Sequence, residues 1–337
     1  MTAMKARFLR TTDLGDFVAH LARERLVIGP REEADYIAYG PIESADQLRL
    51  GLQPRRSAKE AFLPQSETLF RFSARGRRPV PAEGPEPFVM IGVPAYDLKG
   101  IETLDKVFLT GPFLDSYYAK RRQAGLLIGL ADKAMAPSQF YNSFGIDPYE
   151  PALCDLHMTE IAGGWLMQPA SAAGESIAAG LPEAASGQMD EAKQAAEAFR
   201  ASQNALVPVR EFAEKVKDIF ESPVWKTVVD GCINCGACTY VCPTCHCFDI
   251  VDETIKDQGR RLRAWDSCMA WKFTMHTSGH NPRTTPEQRI RQRLLHKFQY
   301  MNKNLNLLGC TGCGRCVDLC PVNWDIRDAM KRIIEAI

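Results

Sequence analysis

Apolar and polar positions alternate along the chain in three different ways. Residues 12–26 carry Leu14, Phe17, Val18 and Leu21 on one helical face, with Asp13 in place to cap the start. Val27-Ile28-Gly29-Pro30 then reads as a turn, and residues 33–53 as short strands and turns. Two continuous apolar runs, Phe88–Val93 and Leu126–Leu130, read as buried strands. Between them Leu98–Leu104 reads as helical, and Tyr117–Arg122 leads into the second run. Residues 54–88 are rich in Arg, Pro and Gly and carry the weakest periodicity. Phe62, Leu63, Leu69, Phe70 and Phe72 give that stretch its anchors.

From residue 171 the chain turns to Ala, Gly, Ser, Glu and Gln, with helices expected over 190–201 and 209–221. In the second of these Phe212, Val216 and Phe220 recur every four residues. The expected fold class is α+β: an N-terminal α/β-type domain, a helical linker, and a C-terminal cysteine-rich domain with a long insertion. The expected boundaries are 1–170 for the N-terminal assembly domain, 171–222 for the linker and 223–337 for the cysteine-rich domain.

The 337 residues carry 41 acidic and 41 basic side chains, so the formal net charge is zero. That balance gives no support to a nucleic-acid partner. No apolar run reaches the length of a membrane span. The N-terminal MTAMKARFLRTTDLGDF lacks the apolar core of a signal peptide, which points to a cytoplasmic location. No Gly-rich dinucleotide fingerprint or P-loop is present.

The twelve cysteines change the picture, because eight fall into two matched runs. These are Cys232-x-x-Cys235-x-x-Cys238-x-x-x-Cys242-Pro243 and Cys310-x-x-Cys313-x-x-Cys316-x-x-x-Cys320-Pro321. Each has the ligand spacing of a bacterial [4Fe–4S] half-site, in which the fourth cysteine serves the other cluster. Cys232, Cys235, Cys238 and Cys320 are therefore assigned to one cluster, and Cys310, Cys313, Cys316 and Cys242 to a second. Gly236 and Gly314 are expected where the backbone wraps closely, and Pro243 and Pro321 where it turns away.

Residues 243–309 form an unusually long insertion between the runs. Its basic groups, Arg260, Arg261 and Arg263, then Arg283, Arg289, Arg291, Arg293, His296 and Lys297, fit a solvated face, a partly buried shell around negative clusters, or a dock for an acidic partner. A helix is expected over 286–298. Cys154 stands alone and reads as a packing residue. Cys245, Cys247 and Cys268 could supply a third iron–sulfur site, or pack near the clusters.

The stretch GCINCGACTYVCPTCHCFD (231–249) resembles a family of iron–sulfur proteins that sulfhydrogenase-type nickel–iron hydrogenases, as their beta subunits, share with anaerobic sulfite reductases. So do RAWDSC (263–268), GHNPR (279–283), RIRQR (289–293), HKFQY (296–300) and residues 309–325. The N-terminal part is similar through Ile91-Gly92-Val93, Asp97-Leu98, Phe108, Tyr117-Tyr118 and Arg121-Arg122. The resemblance implies a dicluster ferredoxin-like C-terminal domain that relays electrons. It implies two partners: a flavin- and NAD(P)-binding reductase subunit, and a separate catalytic subunit. It departs in one place. The family has further cysteines after the strand matching Ile91–Val93 and after Leu130, where this chain has Tyr96, Asp132, Gln139 and Tyr141. A further cluster there is expected to be lost. Two other readings stay open: an iron–sulfur enzyme, or catalytic-site-contributing subunit, working through Cys245, Cys247 and Cys268, and a structural or regulatory cluster protein.

Overall fold

The computed structural model describes residues 4–73 and 78–337. Residues 1–3, at the terminus read for a leader, and 74–77, in the Arg/Pro/Gly-rich stretch, lie outside the described residues.

The N-terminal part opens with β1 (Arg7–Arg10), α1 (Leu14–Ala22), β2 (Leu26–Glu33) and β3 (Tyr36–Pro41). Then come β4 (Ser66–Ser73), β5 (Val80–Pro81), β6 (Phe88–Pro94), α2 (Ala95–Leu109), α3 (Ser116–Ala124) and β7 (Gly125–Leu130). A hairpin follows, β8 (Leu156–Ile161) and β9 (Gly164–Pro169). The seven-stranded sheet has the order β1-β9-β8-β7-β6-β2-β3. Strands β2, β6, β7 and β8 run parallel, and the outer pairs are antiparallel.

All seven residues of β6 are buried, as expected of a strand with parallel neighbours and cover on both faces. Val89 and Ile91 face one core with Phe17, Val18 and Leu21 of α1. Phe88 and Met90 face another with Leu98, Ile101 and Leu104 of α2. A register shift between Ile91 and Val93 breaks the alternation, so Val93 joins the α2 side. The chain thus reaches α2 with Asp97 buried in its first turn.

Three local expectations are corrected. Asp13 does not cap α1: its carboxylate takes the Arg10 guanidinium at 2.6 Å instead. Val27–Pro30 is not a turn but the middle of β2. Pairing with β6 ends at Ile28, so the missing Pro30 N–H leaves no ladder partner unmet on that side. Phe220 does not extend the helical face of 209–221, because α-helix gives way at Val216 to a single tighter turn ending at Asp218. Phe220 lies exposed with the Arg291 guanidinium 3.7 Å over its ring.

The rest of the chain is mostly short helices: α4 (Ala172–Ala178), α5 (Ser186–Ala201), α6 (Val209–Lys215), α7 (Val224–Val228) and α8 (Ala237–Tyr240). A long hairpin, β10 (Phe248–Ile255) and β11 (Gln258–Trp265), fills part of the insertion. After it come α9 (Pro286–Leu295), a π-helical turn (His296–Tyr300), α10 (Met301–Leu305), α11 (Arg315–Asp318) and α12 (Ile326–Ala336). Strand β11 pairs with β4, so a four-stranded sheet of order β10-β11-β4-β5 joins the insertion to the N-terminal part. The α+β expectation holds. A β-rich N-terminal region passes through helices into a cysteine-rich region that is largely helical.

Candidate iron–sulfur centre

The two cysteine runs fold alike. In each, the residue before the second cysteine has a positive φ, Asn234 at 55° and Gly312 at 65°. The glycine after it does too, Gly236 at 81° and Gly314 at 80°. One helical turn follows in each, α8 and α11. Two left-handed residues in three coil the backbone tightly, and glycine meets that need without a Cβ penalty. Space demands it as well: a Cβ on Gly314 would stand 2.9 Å from the Ser138 carbonyl carbon.

The N-terminal part clamps the second run. Phe140 N donates to Gly312 O at 2.9 Å, and Gln53 Nε2 to Cys313 O at 2.8 Å. Ser138 Oγ donates to Asp318 Oδ2 at 2.8 Å. The Arg315 guanidinium, between Cys313 and Cys316, pairs with Asp97. The first run lies nearer the surface: Cys235 and Ile233 are exposed, and Cys232 is partly buried.

One cavity is lined by Cys310, Cys313 and Cys316 of the second run together with Cys242 of the first. Arg293, Lys297 and Thr311 also line it, with Phe140, Pro243, Gly314 and Ile326. Cys232, in turn, has Cys238 and Cys320 as its electrostatic neighbours. The last cysteine of each run therefore stands with the other run's group. Burial pushes the Cys310 thiol up to about 11, and those of Cys313 and Cys316 to about 12. Cys242 goes the other way. A hydrogen bond from Cys245 and the nearby Lys297 and Lys59 ammonium groups hold it well below the usual thiol range. Lys297 Nζ lies 3.2 Å from Cys242 Sγ, 3.0 Å from Thr244 Oγ1 and 2.8 Å from Gly309 O.

Arg289, Arg293 and Lys297 are spaced four residues apart along α9 and its π-helical extension, and all three are buried. Arg289 Nε donates to Asn234 Oδ1 between Cys232 and Cys235, at 3.1 Å. Cys238 and Cys316 stand foremost among the cysteines in the electrostatic surroundings of Arg293. The insertion thus sorts its basic residues. Arg263, Arg289, Arg293 and Lys297 are buried, whereas Arg260 and Arg261 form exposed pairs with Glu253 and Asp252. Sequence reasoning named the basic clusters but not the spacing of four that puts Arg289, Arg293 and Lys297 on one face; that spacing was the available signal. Lys59 was missed altogether. Its ammonium donates to Cys245 O at 2.8 Å and sits 4.0 Å over the Trp265 ring, with no local motif to mark it.

Of the four remaining cysteines, Cys247 and Cys268 pair with each other, Cys245 stands with Cys242 of the first run, and Cys154 is apart. Cys245 is hydrogen-bonded to Cys242, and Cys247 to Cys268, which draws the Cys247 thiol down to about 7. Cys154 is buried beside Gly129, as expected of a packing residue. Tyr96, Tyr141 and Cys313 share a small apolar core, with the Tyr96 and Tyr141 rings 5.4 Å apart. Asp132 accepts from Tyr141 Oη at 2.8 Å, and Gln139 Oε1 from Ala136 N at 2.7 Å. Tyr96, Asp132, Gln139 and Tyr141 are thus held in ordinary protein packing.

Among the described residues no three His, Cys, Asp or Glu side chains converge as they would on a single metal ion. A [4Fe–4S] cube spreads four thiolates over four irons, so it asks for a wider set. The donors around the cavity fit such a group. Arg293 Nε and Nη1 and Thr311 Oγ1 are buried with no hydrogen-bond partner among the described residues. Inorganic sulfide and thiolate sulfur are the acceptors that such donors would meet on a cluster.

Residues 231–324, which contain both runs, match the family described as 4Fe-4S dicluster domain. The C-terminal region is thus of the iron–sulfur dicluster type. Over 336 residues the chain is 28% identical to Sulfhydrogenase 2 subunit beta of Pyrococcus furiosus, a similarity covering 96% of each chain. No solved structure matches it. Among the described residues no helix is long and apolar enough to cross a membrane.

Proposed function

We propose that this chain is the electron-relaying iron–sulfur subunit of a multisubunit cytoplasmic oxidoreductase, hydrogenase-like or sulfite-reductase-like. Cys232, Cys235, Cys238 and Cys320 hold one [4Fe–4S] cluster, and Cys310, Cys313, Cys316 and Cys242 the other. The observation that carries this reading is Cys242, a first-run cysteine that lines a cavity with the three leading cysteines of the second run. When bound, the clusters carry single electrons. The chain's own residues fix where they sit. The two left-handed loops present the thiols, Lys297 compensates the charge on Cys242, and Asp97 seats the second loop through Arg315.

Electrons pass between a flavin- and NAD(P)-binding reductase subunit and a separate catalytic subunit, and this chain turns over no substrate itself. The end-to-end similarity to a protein named as a sulfhydrogenase beta subunit supports that role. So does the exposed first loop, where Ile233 and Cys235 can approach a partner. The N-terminal part, about residues 1–170, serves assembly, and residues 171–222 link it to the cluster-bearing part.

The test is iron and labile sulfide in the anaerobically purified native complex, with its subunits identified by mass spectrometry. About eight irons on this chain, beside a flavoprotein and a catalytic subunit, is the expected result. A chain without labile sulfide, or one with its own substrate turnover, refutes it. The contact between Cys247 and Cys268 favours a second reading, an additional iron–sulfur site with Cys245. About twelve irons would establish that one.

A further inference from the structure

The row of buried cations on α9 has a middle member with unusual surroundings. Arg293 is 2% exposed. Among the described residues no carboxylate is paired with it, and its Nε and Nη1 have no hydrogen-bond partner. A buried guanidinium in that condition carries a large desolvation cost unless anionic acceptors face it. The groups around it that would favour its charge are all cysteine sulfurs, which become anionic acceptors when they ligate iron as thiolates. It lines the cavity of Cys242, Cys310, Cys313 and Cys316. Its other side lies over the Trp324 ring at 5.9 Å. The backbone N–H of Trp324 in turn donates to Cys320 Sγ at 3.1 Å. The side chain therefore stands between the two thiol groups. Arg289 on one flank donates to Asn234 of the first run and to the Arg283 and Thr284 carbonyls, and Lys297 on the other donates to Cys242.

We propose that Arg293 is held in common by the two ligand sets and sets the reduction potentials of both clusters, an inference that rests on the two-cluster reading above. A cluster becomes more negative by one unit charge when it takes up an electron. A cation in a low-dielectric site favours the more negative form, and donated hydrogen bonds to its sulfurs act in the same direction. Arg293 offers both at one point. The fork of its guanidinium lets separate N–H groups address separate acceptors, which a lysine ammonium at the same position would not do equally.

The experiment is an EPR-monitored redox titration of the full chain, purified anaerobically with its iron, as wild type, Arg293→Gln and Arg293→Lys. Iron content is measured on the same samples. Arg293→Gln lowers both midpoint potentials, each by at least a tenfold change in the oxidised-to-reduced ratio, about 59 mV for a one-electron couple. Arg293→Lys keeps one potential and lowers the other by a similar step. If Arg293→Gln leaves either potential in place, the inference is overturned. If that variant does not retain iron, Arg293→Lys decides the matter, and an unchanged separation between its two potentials overturns the inference. Wild-type protein with about four irons, or none, would instead sink the two-cluster reading. The two failures are therefore distinguishable.

Discussion

Arg315 and Asp97 form a two-pronged ion pair, Nη1 to Oδ1 at 2.5 Å and Nη2 to Oδ2 at 2.8 Å, with both side chains at most 1% exposed. Arg315 Nε adds a bond to Pro54 O at 2.8 Å, and Asp97 Oδ2 accepts from Ala58 N at 3.1 Å. The pair seats the loop of Cys313 and Cys316 on the first turn of α2. Removing one partner leaves a buried charge uncompensated, which costs about 3–5 kcal/mol. Arg315→Met and Asp97→Asn should each destabilise the chain by that order and halve its iron, whereas Arg315→Met with Asp97→Leu should recover much of the stability. Denaturant midpoints and iron analysis of the three variants check this. A single variant as stable as wild type would show that the pair does not seat the loop.

Arg263 plays a comparable part for the insertion. Its Nε donates to Glu67 Oε1 at 2.8 Å, and its Nη1 reaches Asp115, which also caps α3 through Tyr117 N and Tyr118 N. Arg263→Met should destabilise the chain by removing the main partner of Glu67, by less than the about 3–5 kcal/mol of a fully unpaired buried charge, because Arg121 Nε stays 3.5 Å from Glu67 Oε2. Faster hydrogen exchange in 248–265 and in 66–73 would locate the loss on the sheet that β11 shares with β4. Exchange unchanged there would show that the strand ladder holds without the ion pair.

The crossed ligand sets make a prediction that uncrossed sets reverse. Cys242→Ala combined with Cys313→Ala removes two ligands of one cluster and should leave about four irons. Cys320→Ala combined with Cys313→Ala strikes both clusters and should leave neither intact. Iron and sulfide content of the two double variants, purified side by side without oxygen, reads the difference. The opposite ranking would mean that each run closes its own cluster.

The parts that local pattern could reveal are those governed by neighbours in sequence. The apolar runs of β6 and β7 mark buried strands because both faces are covered, and the cysteine spacing follows from the shape of the group it suits. Strands β8 and β9 went unread: LHMTEI alternates only over its first four positions and GWLMQP not at all, although the first four residues of each are buried. The joining of β4 to β11 was illegible for another reason, since Glu67 meets Arg263 across 196 residues of chain. The same distance effect hid the sorting of the basic insertion. Arg261 and Arg263 are two residues apart, yet one faces solvent with Asp252 and the other is sealed against Glu67. Gly29-Pro30 misled because turn chemistry was read without the strands on either side of it.

Asp132 gives the chain a pH dependence away from the cysteines. Burial raises its carboxyl from an ordinary 3.8 to about 6, against the opposing hydrogen bond from Tyr141 Oη. The fold therefore favours the neutral acid. Its stabilising effect is complete below the unfolded value near 4 and is lost as pH rises through about 6. Because Asp132 is only partly buried, the loss by pH 7 should be about 1–3 kcal/mol. Asp132→Asn keeps a carbonyl oxygen for Tyr141 and cannot ionise. The variant should thus exceed wild type in stability at pH 7, by a margin that narrows towards pH 5 and closes only below about 4. Comparing the two proteins at each pH by denaturant midpoint cancels any acid effect on the metal sites they share. A constant difference between them from pH 5 to 7 would show that Asp132 titrates as an ordinary exposed carboxylate.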